Sequence, residues 1–215
     1  MVRGDGAVEV LEVEPFSREE LLGALRGTRL RGFDGARVYA DATLELVESD
    51  PADLAPAQRY VLREGVEKIL GLRAALLDRG IDVFALDGGL WLRTGDSTEE
   101  RIPVIPPVVE ESREPDGRTV WLVNDGIHRV FAARSLGLSI NTVRIAGVPP
   151  EYPYYALALP SGWAEVAELD ELPDGFQKKA YRQPDNYKAL FRDFNDVFPG
   201  VQKERKKSNP GFLRA

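Results

Sequence analysis

Six consecutive residues, Asn124-Asp125-Gly126-Ile127-His128-Arg129, bring together a carboxylate, a glycine, an imidazole and a guanidinium. They follow Thr119-Val120-Trp121-Leu122-Val123, the clearest strand in the sequence and one that reads as buried on both faces. A helix should cover roughly Arg129 to Leu136, with Gly137 as its C-cap. Where a glycine turns a strand into a helix, the first helical amides lack intrahelical acceptors and stand at the positive end of the macrodipole. Such a turn makes a backbone anion site suited to phosphate. Arg129 adds a planar fork for bidentate contact. His128, the single histidine, can donate from one ring nitrogen. Asp125 could hold a Mg²⁺ that bridges phosphates, or orient the imidazole. The same residues also fit ordinary loop chemistry, with Asp125 capping the helix and His128 structural.

The elements that must position this loop are partly readable. Ser17-Arg18-Glu19-Glu20 fits a capping box that opens a helix with an apolar stripe of Leu21, Leu22 and Leu25, closed by Gly27. Arg37 to Leu46 is ambiguous and reads as a strand. The periodicity of Val61, Leu62, Val66, Ile69, Leu70, Leu72, Leu76 and Leu77 predicts a long helix from about Pro56 to Arg79. Val83 to Leu86 and Leu90 to Leu92 flank Asp87-Gly88-Gly89, a pattern that predicts a hairpin. Ile102 to Ile105 reads as a strand and Pro115-Asp116-Gly117 as a turn. Ile140 to Ile145 returns as a strand, so that Thr119 to Ile145 forms a βαβ-like unit. A short helix is expected over Asn186 to Asn195, capped by Asp185. Glu110 and Glu111, just before the loop's strand, are candidate Mg²⁺ ligands or plain surface acids.

Composition narrows the classes. The 215 residues, 43% of them hydrophobic, can bury a sizeable core, and the absence of cysteine excludes disulfides, thiolate metal sites and Cys nucleophiles. A net charge of −7 argues against a duplex-DNA surface over the whole protein. That charge is uneven, dividing into +6 from Lys178 onward and −13 over residues 1–177. The basic tail, with Lys203, Arg205, Lys206 and Lys207, therefore suits an acidic partner, a nucleic acid or the phosphates of a bound nucleotide. The first residues lack an apolar signal core and no stretch has the length of a membrane span, so a cytoplasmic protein is expected.

The run from Arg101-Ile102-Pro103-Val104 through Val120-Trp121-Leu122-Val123-Asn124-Asp125-Gly126-Ile127-His128-Arg129-Val130-Phe131-Ala132-Ala133-Arg134-Ser135-Leu136-Gly137 to Thr142-Val143-Arg144-Ile145 resembles the ParB/sulfiredoxin-like superfamily. The shared features are a strand, an Asp-Gly-x-His-Arg loop, a helix with paired alanines ending in Leu-Gly, and a further strand. The resemblance implies nucleoside di- or triphosphate binding on the loop, as in sulfiredoxins, CTP-switching partition proteins and free-serine kinases. By position, Gly126, His128 and Arg129 would hold phosphates, with Asn124 and Ile127 completing the binding loop. Asp125 would sit by the metal or the reacting hydroxyl. Ile127 stands where sulfiredoxins keep their catalytic cysteine, so their chemistry is out. The kinase-like members also use a glutamate from the region before the long helix. Their motif has no clean counterpart here; Glu64 is the candidate base, with Glu45 and Glu48 nearby in the chain, against a reading of Glu64 as a solvated helix residue.

The expectation is thus an α+β or α/β fold, a small mixed sheet with helices and a C-terminal helical and irregular extension. Residues 1–35 would form an N-terminal helical segment, 36–147 the nucleotide-binding domain and 148–215 the extension with its basic tail. Two functions stay open. One is a Mg²⁺-dependent phosphotransferase using ATP or another nucleoside phosphate on a small hydroxyl compound or protein side chain, with Asp125 and Glu64 catalytic and Asp125 on the metal. The other is a non-catalytic, nucleotide-gated or nucleic-acid-associated binding module.

Overall fold

A computed structural model describes residues 8–95 and 101–201; the basic run Lys203 to Lys207 lies outside them. In chain order the elements are β1 (Val10–Ser17), α1 (Arg18–Leu25), β2 (Arg29–Leu30), β3 (Thr43–Ser49), β4 (Leu54–Ala55), β5 (Tyr60–Leu62), α2 (Arg63–Leu77), β6 (Gly88–Thr94), β7 (Ile102–Val104), β8 (Val108–Arg113), β9 (Thr119–Asp125), α3 (Ile127–Ser135), β10 (Ile140–Ala146), β11 (Ala167–Leu169) and β12 (Arg192–Asp193). Short 3₁₀ turns punctuate the connections. The fold is α+β, as the sequence suggests.

The loop leaves from a five-stranded mixed sheet of order β3-β10-β8-β9-β4. β8 is antiparallel to β9 and parallel to β10, and β4 runs parallel to β9. The expected βαβ unit is therefore corrected. β9 and β10 do not pair but flank β8, and they run in opposite directions. A second sheet, β1-β6-β7, is antiparallel throughout. The pairs β11-β5 and β12-β2 tie the C-terminal extension to the body.

Local chemistry explains several boundaries. Ser17 and Glu20 form the reciprocal capping box: the Glu20 carboxylate accepts from the Ser17 amide at 2.8 Å, and the Ser17 hydroxyl accepts from the Glu20 amide at 3.2 Å. α2, by contrast, begins at Arg63 rather than Pro56, because Tyr60–Leu62 is captured as a strand by Ala167–Leu169, more than a hundred residues away. The expected hairpin around Asp87 does not form. Val83, Phe84 and Leu86 are buried in an irregular turn beneath α2, held where Asp82 accepts from the Phe84 amide and from Arg73. Only the second arm becomes a strand, and it pairs with β1 and β7 instead. The expected helix over 186–195 is likewise replaced by a 3₁₀ turn at Tyr187–Leu190, then β12 and a second 3₁₀ turn.

One core unites α1 with β3, β8 and β10, and it includes Phe194 and Phe198 from the extension. Burying each of these rings is worth about 1.5–3 kcal/mol, so the extension is anchored to the body rather than appended. A second core packs α2 against Ala132 and Ala133 of α3, both fully buried. The paired alanines thus let the two helices approach, and that approach brings the start of α3 beside the start of α2.

Candidate functional site

The start of α3 faces a cavity of about 550 Å³, within the usual range for small-molecule sites. All six residues from Asn124 to Arg129 line it. Gln58, Tyr60 and Leu62 of the β5 segment, and Tyr155, Lys178, Lys179, Phe191 and Arg192 of the extension, complete most of its wall.

Three local features aim the loop. The register between β8 and β9 shifts between Val108 and Val109, so that Asn124 is an extra residue on β9. Bulges of this kind re-aim side chains, and here the Asn124 amide donates to the Tyr39 hydroxyl at 2.8 Å. Gly126 then takes a left-handed conformation, φ 84° and ψ 23°, as the N-cap of α3. Its carbonyl accepts from the amides of both Arg129 and Val130, at 2.9 and 3.1 Å, and no side chain caps the helix. Asp125 is therefore not the helix cap. It faces Arg129 instead, at 3.3 Å.

His128 is tied to α2. Its Nε2 accepts from the Leu62 amide at 3.0 Å, which requires a lone pair there and puts the proton of a neutral ring on Nδ1. The contact explains Gly65, since a Cβ at that position would lie 2.6 Å from His128 Cδ2 and 2.8 Å from Nε2. Gly65→Ala is therefore expected to destabilise the chain by about 1–3 kcal/mol net, because overpacking against the ring costs about 1–3 kcal/mol and the displaced hydrogen bond about 1 kcal/mol more. Helix propensity alone would make alanine favourable by up to about 1 kcal/mol. The sign of the change in chemical-denaturation midpoint decides: a higher midpoint would disprove the contact.

Two arginines at the cavity differ sharply in their partners. Arg192 spends all five N–H donors: Nε and Nη2 on the Glu110 carboxylate at 3.0 and 2.6 Å, and the rest on the carbonyls of Tyr152, Pro153 and Leu190. Burial works against its charge, but Glu110 and Tyr39 together outweigh burial and hold the Arg192 pKa above its ordinary value. Arg129 is 8% exposed, and among the described residues its guanidinium makes one hydrogen bond, the long one to Asp125. Burial pulls its pKa below the ordinary guanidinium value, and Asp125 offsets only part of that.

The remaining predicted residues are dispersed. Glu64 stands outside the cavity lining on the exposed face of α2, 72% exposed and paired with Lys68. Glu45 and Glu48 lie on β3, at the far edge of the sheet from β9. Glu110 is neither a surface acid nor placed to bind a metal; it is buried against Arg192 and also accepts from Tyr39 at 2.9 Å. Burial, reinforced by the Glu110 charge, keeps the Tyr39 phenol well above its ordinary pKa, so it remains a neutral donor. Sequence reasoning missed Glu110, Arg192 and Tyr39 as a unit, because 82 residues separate the two ions. Among the described residues no group of three or more His, Cys, Asp or Glu is placed to hold a metal ion, and no helix is long and apolar enough to cross a membrane.

These observations define a small α+β domain with a polar cavity where a bulged strand hands over to a helix. The chain belongs to the ParB CE domain family, whose model matches residues 20–167, more than two thirds of the sequence. No curated protein and no solved structure matches it. The matched span ends before Lys178, so the part of the cavity wall built by Lys178 to Arg192 lies beyond it.

Proposed function

We propose that the chain is a nucleotide-binding module of the ParB-like class, with the phosphates of a nucleoside phosphate seated against Arg129 and the first turn of α3. The supporting observation is Arg129 itself. Among the described residues its guanidinium makes a single hydrogen bond, to Asp125, and it lines the cavity, where its remaining donors favour an anionic acceptor. A phosphate would accept bidentately from it and offset the burial that opposes its charge. The left-handed Gly126 turn directs the start of α3 toward the same space, and a cavity of about 550 Å³ accommodates a nucleotide. In this reading Asp125 is the one carboxylate of the loop able to meet a Mg²⁺ that enters with the phosphates. Such an ion would neutralise phosphate charge.

A second reading, phosphoryl transfer to a hydroxyl compound or protein side chain, draws on Asp125 lying in the same cavity as Arg129. It needs a base, and Glu64 would have to leave its exposed position to serve.

Titration calorimetry with ATP, CTP and GTP, with and without Mg²⁺, separates the possibilities. The parent is expected to bind at least one nucleotide. Arg129→Ala should weaken that binding by roughly 10- to 150-fold, the equivalent of about 1.5–3 kcal/mol for hydrogen bonds to a charged group. Nucleotide binding at parental strength by Arg129→Ala would remove the reading. Release of labelled phosphate at a rate that Asp125→Asn abolishes would favour the second.

A further inference from the structure

The cavity carries more positive charge than its loop supplies. Among the described residues Arg129, Lys178, Lys179 and Arg192 line it, against the one carboxylate of Asp125. Glu110 neutralises Arg192, and Asp125 faces Arg129. Lys178 and Lys179 have no carboxylate partner among the described residues, although the chain as a whole is acidic at −7.

These lysines sit on a backbone segment that is fixed from both sides. The Arg59 amide donates to the Lys178 carbonyl at 2.9 Å, and Gln58 bridges Lys179. The Leu157 amide donates to Ala180, the Arg182 amide to Tyr155, and Ala156 bridges Tyr181. The Lys179 ammonium is itself held in place. It donates to the Tyr155 hydroxyl at 2.6 Å and the Tyr154 hydroxyl at 3.3 Å, and lies 4.7 Å from the Tyr155 ring centroid. Two of its three donors are thus engaged with neutral phenols, which position the charge without cancelling it. Ordering a lysine normally opposes binding through lost rotamer freedom. Here that ordering is already in place.

We infer that Lys178 and Lys179 form a second anion anchor, contributed by the extension, that sets how many phosphates the site accepts. The inference rests on the nucleotide reading of the cavity and narrows it to nucleoside di- and triphosphates. Arg129 and α3 take one end of the polyphosphate, and the 178–179 segment takes the other. A monophosphate reaches one anchor only. Because both lysines lie beyond the span matched by the family model, the selectivity belongs to this chain's own extension.

The test compares the full-length parent with the double variant Lys178→Ala/Lys179→Met, with the same double variant carrying Lys179→Arg in place of Lys179→Met, and with Arg129→Ala. Methionine keeps an unbranched apolar stem against Tyr155. Each is titrated with adenosine and cytidine mono-, di- and triphosphate and with inorganic tripolyphosphate. In the parent, affinity should rise at least tenfold from mono- to triphosphate. The double variant should flatten that ladder to within about threefold while holding the monophosphate near parental strength, and Lys179→Arg should restore much of it. A parental ladder in the double variant, or no ladder in the parent, overturns the inference and leaves nucleotide binding standing. Absence of any nucleotide binding by the parent overturns the nucleotide reading itself, and this inference with it. Thermal melts check folding; should the double variant not fold, the exposed Lys178→Ala alone carries the same comparison.

Discussion

Replacing Glu110 with alanine is expected to destabilise the chain by about 3–5 kcal/mol, because it strands a charged Arg192 in the interior. For a chain of this size that corresponds to a melting temperature lower by roughly 6–20 °C. The Arg192 and Glu110 side chains are 0% and 2% exposed, so solvent cannot take over the vacated contact. Tyr39 loses its acceptor in the same step. Asn124, which donates to the Tyr39 hydroxyl, then loses part of what holds the loop. The double variant Glu110→Leu/Arg192→Met should recover much of the loss, since an apolar pair of similar volume removes both desolvation penalties. Recovery should be incomplete, because the carbonyls of Tyr152, Pro153 and Leu190 would remain without the donors that Arg192 supplies. Urea unfolding of the parent and the two variants reads this directly. A Glu110→Ala protein within 1 kcal/mol of the parent would show that the pair is not the strut described.

That strut also marks what the sequence could and could not reveal. Wherever neighbours along the chain decide the structure, the reading holds. The Ser17–Glu20 box, the Pro115-Asp116-Gly117 turn, the strand at Thr119, the helix that follows and Gly137 at its end are set by contacts a few residues long. The candidate loop falls in this group, and all six of its residues reach one cavity. Where partners are distant, the pattern misleads. Tyr60 to Leu62 has helical spacing but is taken by Ala167 to Leu169 as a strand. Val83 to Leu86 has the composition of a strand, yet is buried under α2 as a turn. The interleaved Tyr187, Phe191 and Phe194 suggest one face of an amphipathic helix. In the structure Tyr187 stacks on Tyr181, Phe191 meets Tyr155 edge-on, and Phe194 enters the core of α1. Most of the cavity's second wall is of this kind. Its residues gain meaning only once the extension has folded back over β5 and β9.

Gly126→Ala should impair the loop more than any other single-methyl change in it, through two separable effects. The backbone there has φ 84°, and holding an alanine in the left-handed region costs about 1–3 kcal/mol. The added Cβ would also lie 2.9 Å from Arg129 Nη2, 2.9 Å from Pro107 Cβ and 3.0 Å from Pro107 Cα. A proline ring and its backbone cannot yield cheaply, so either the turn or the Arg129 guanidinium must move. Gly117 supplies the control: its φ is 86° and nothing lies within 4 Å of a Cβ built on it. Gly117→Ala therefore isolates the backbone penalty, and the excess loss in Gly126→Ala measures the steric one. Their effects on the cavity should diverge further. Gly117→Ala leaves nucleotide affinity at the parental value, whereas Gly126→Ala lowers it at least tenfold, because the guanidinium and the start of α3 are displaced together. Equal stabilities and equal affinities for the two variants would mean that the close approach of Gly126, Pro107 and Arg129 does not shape the site.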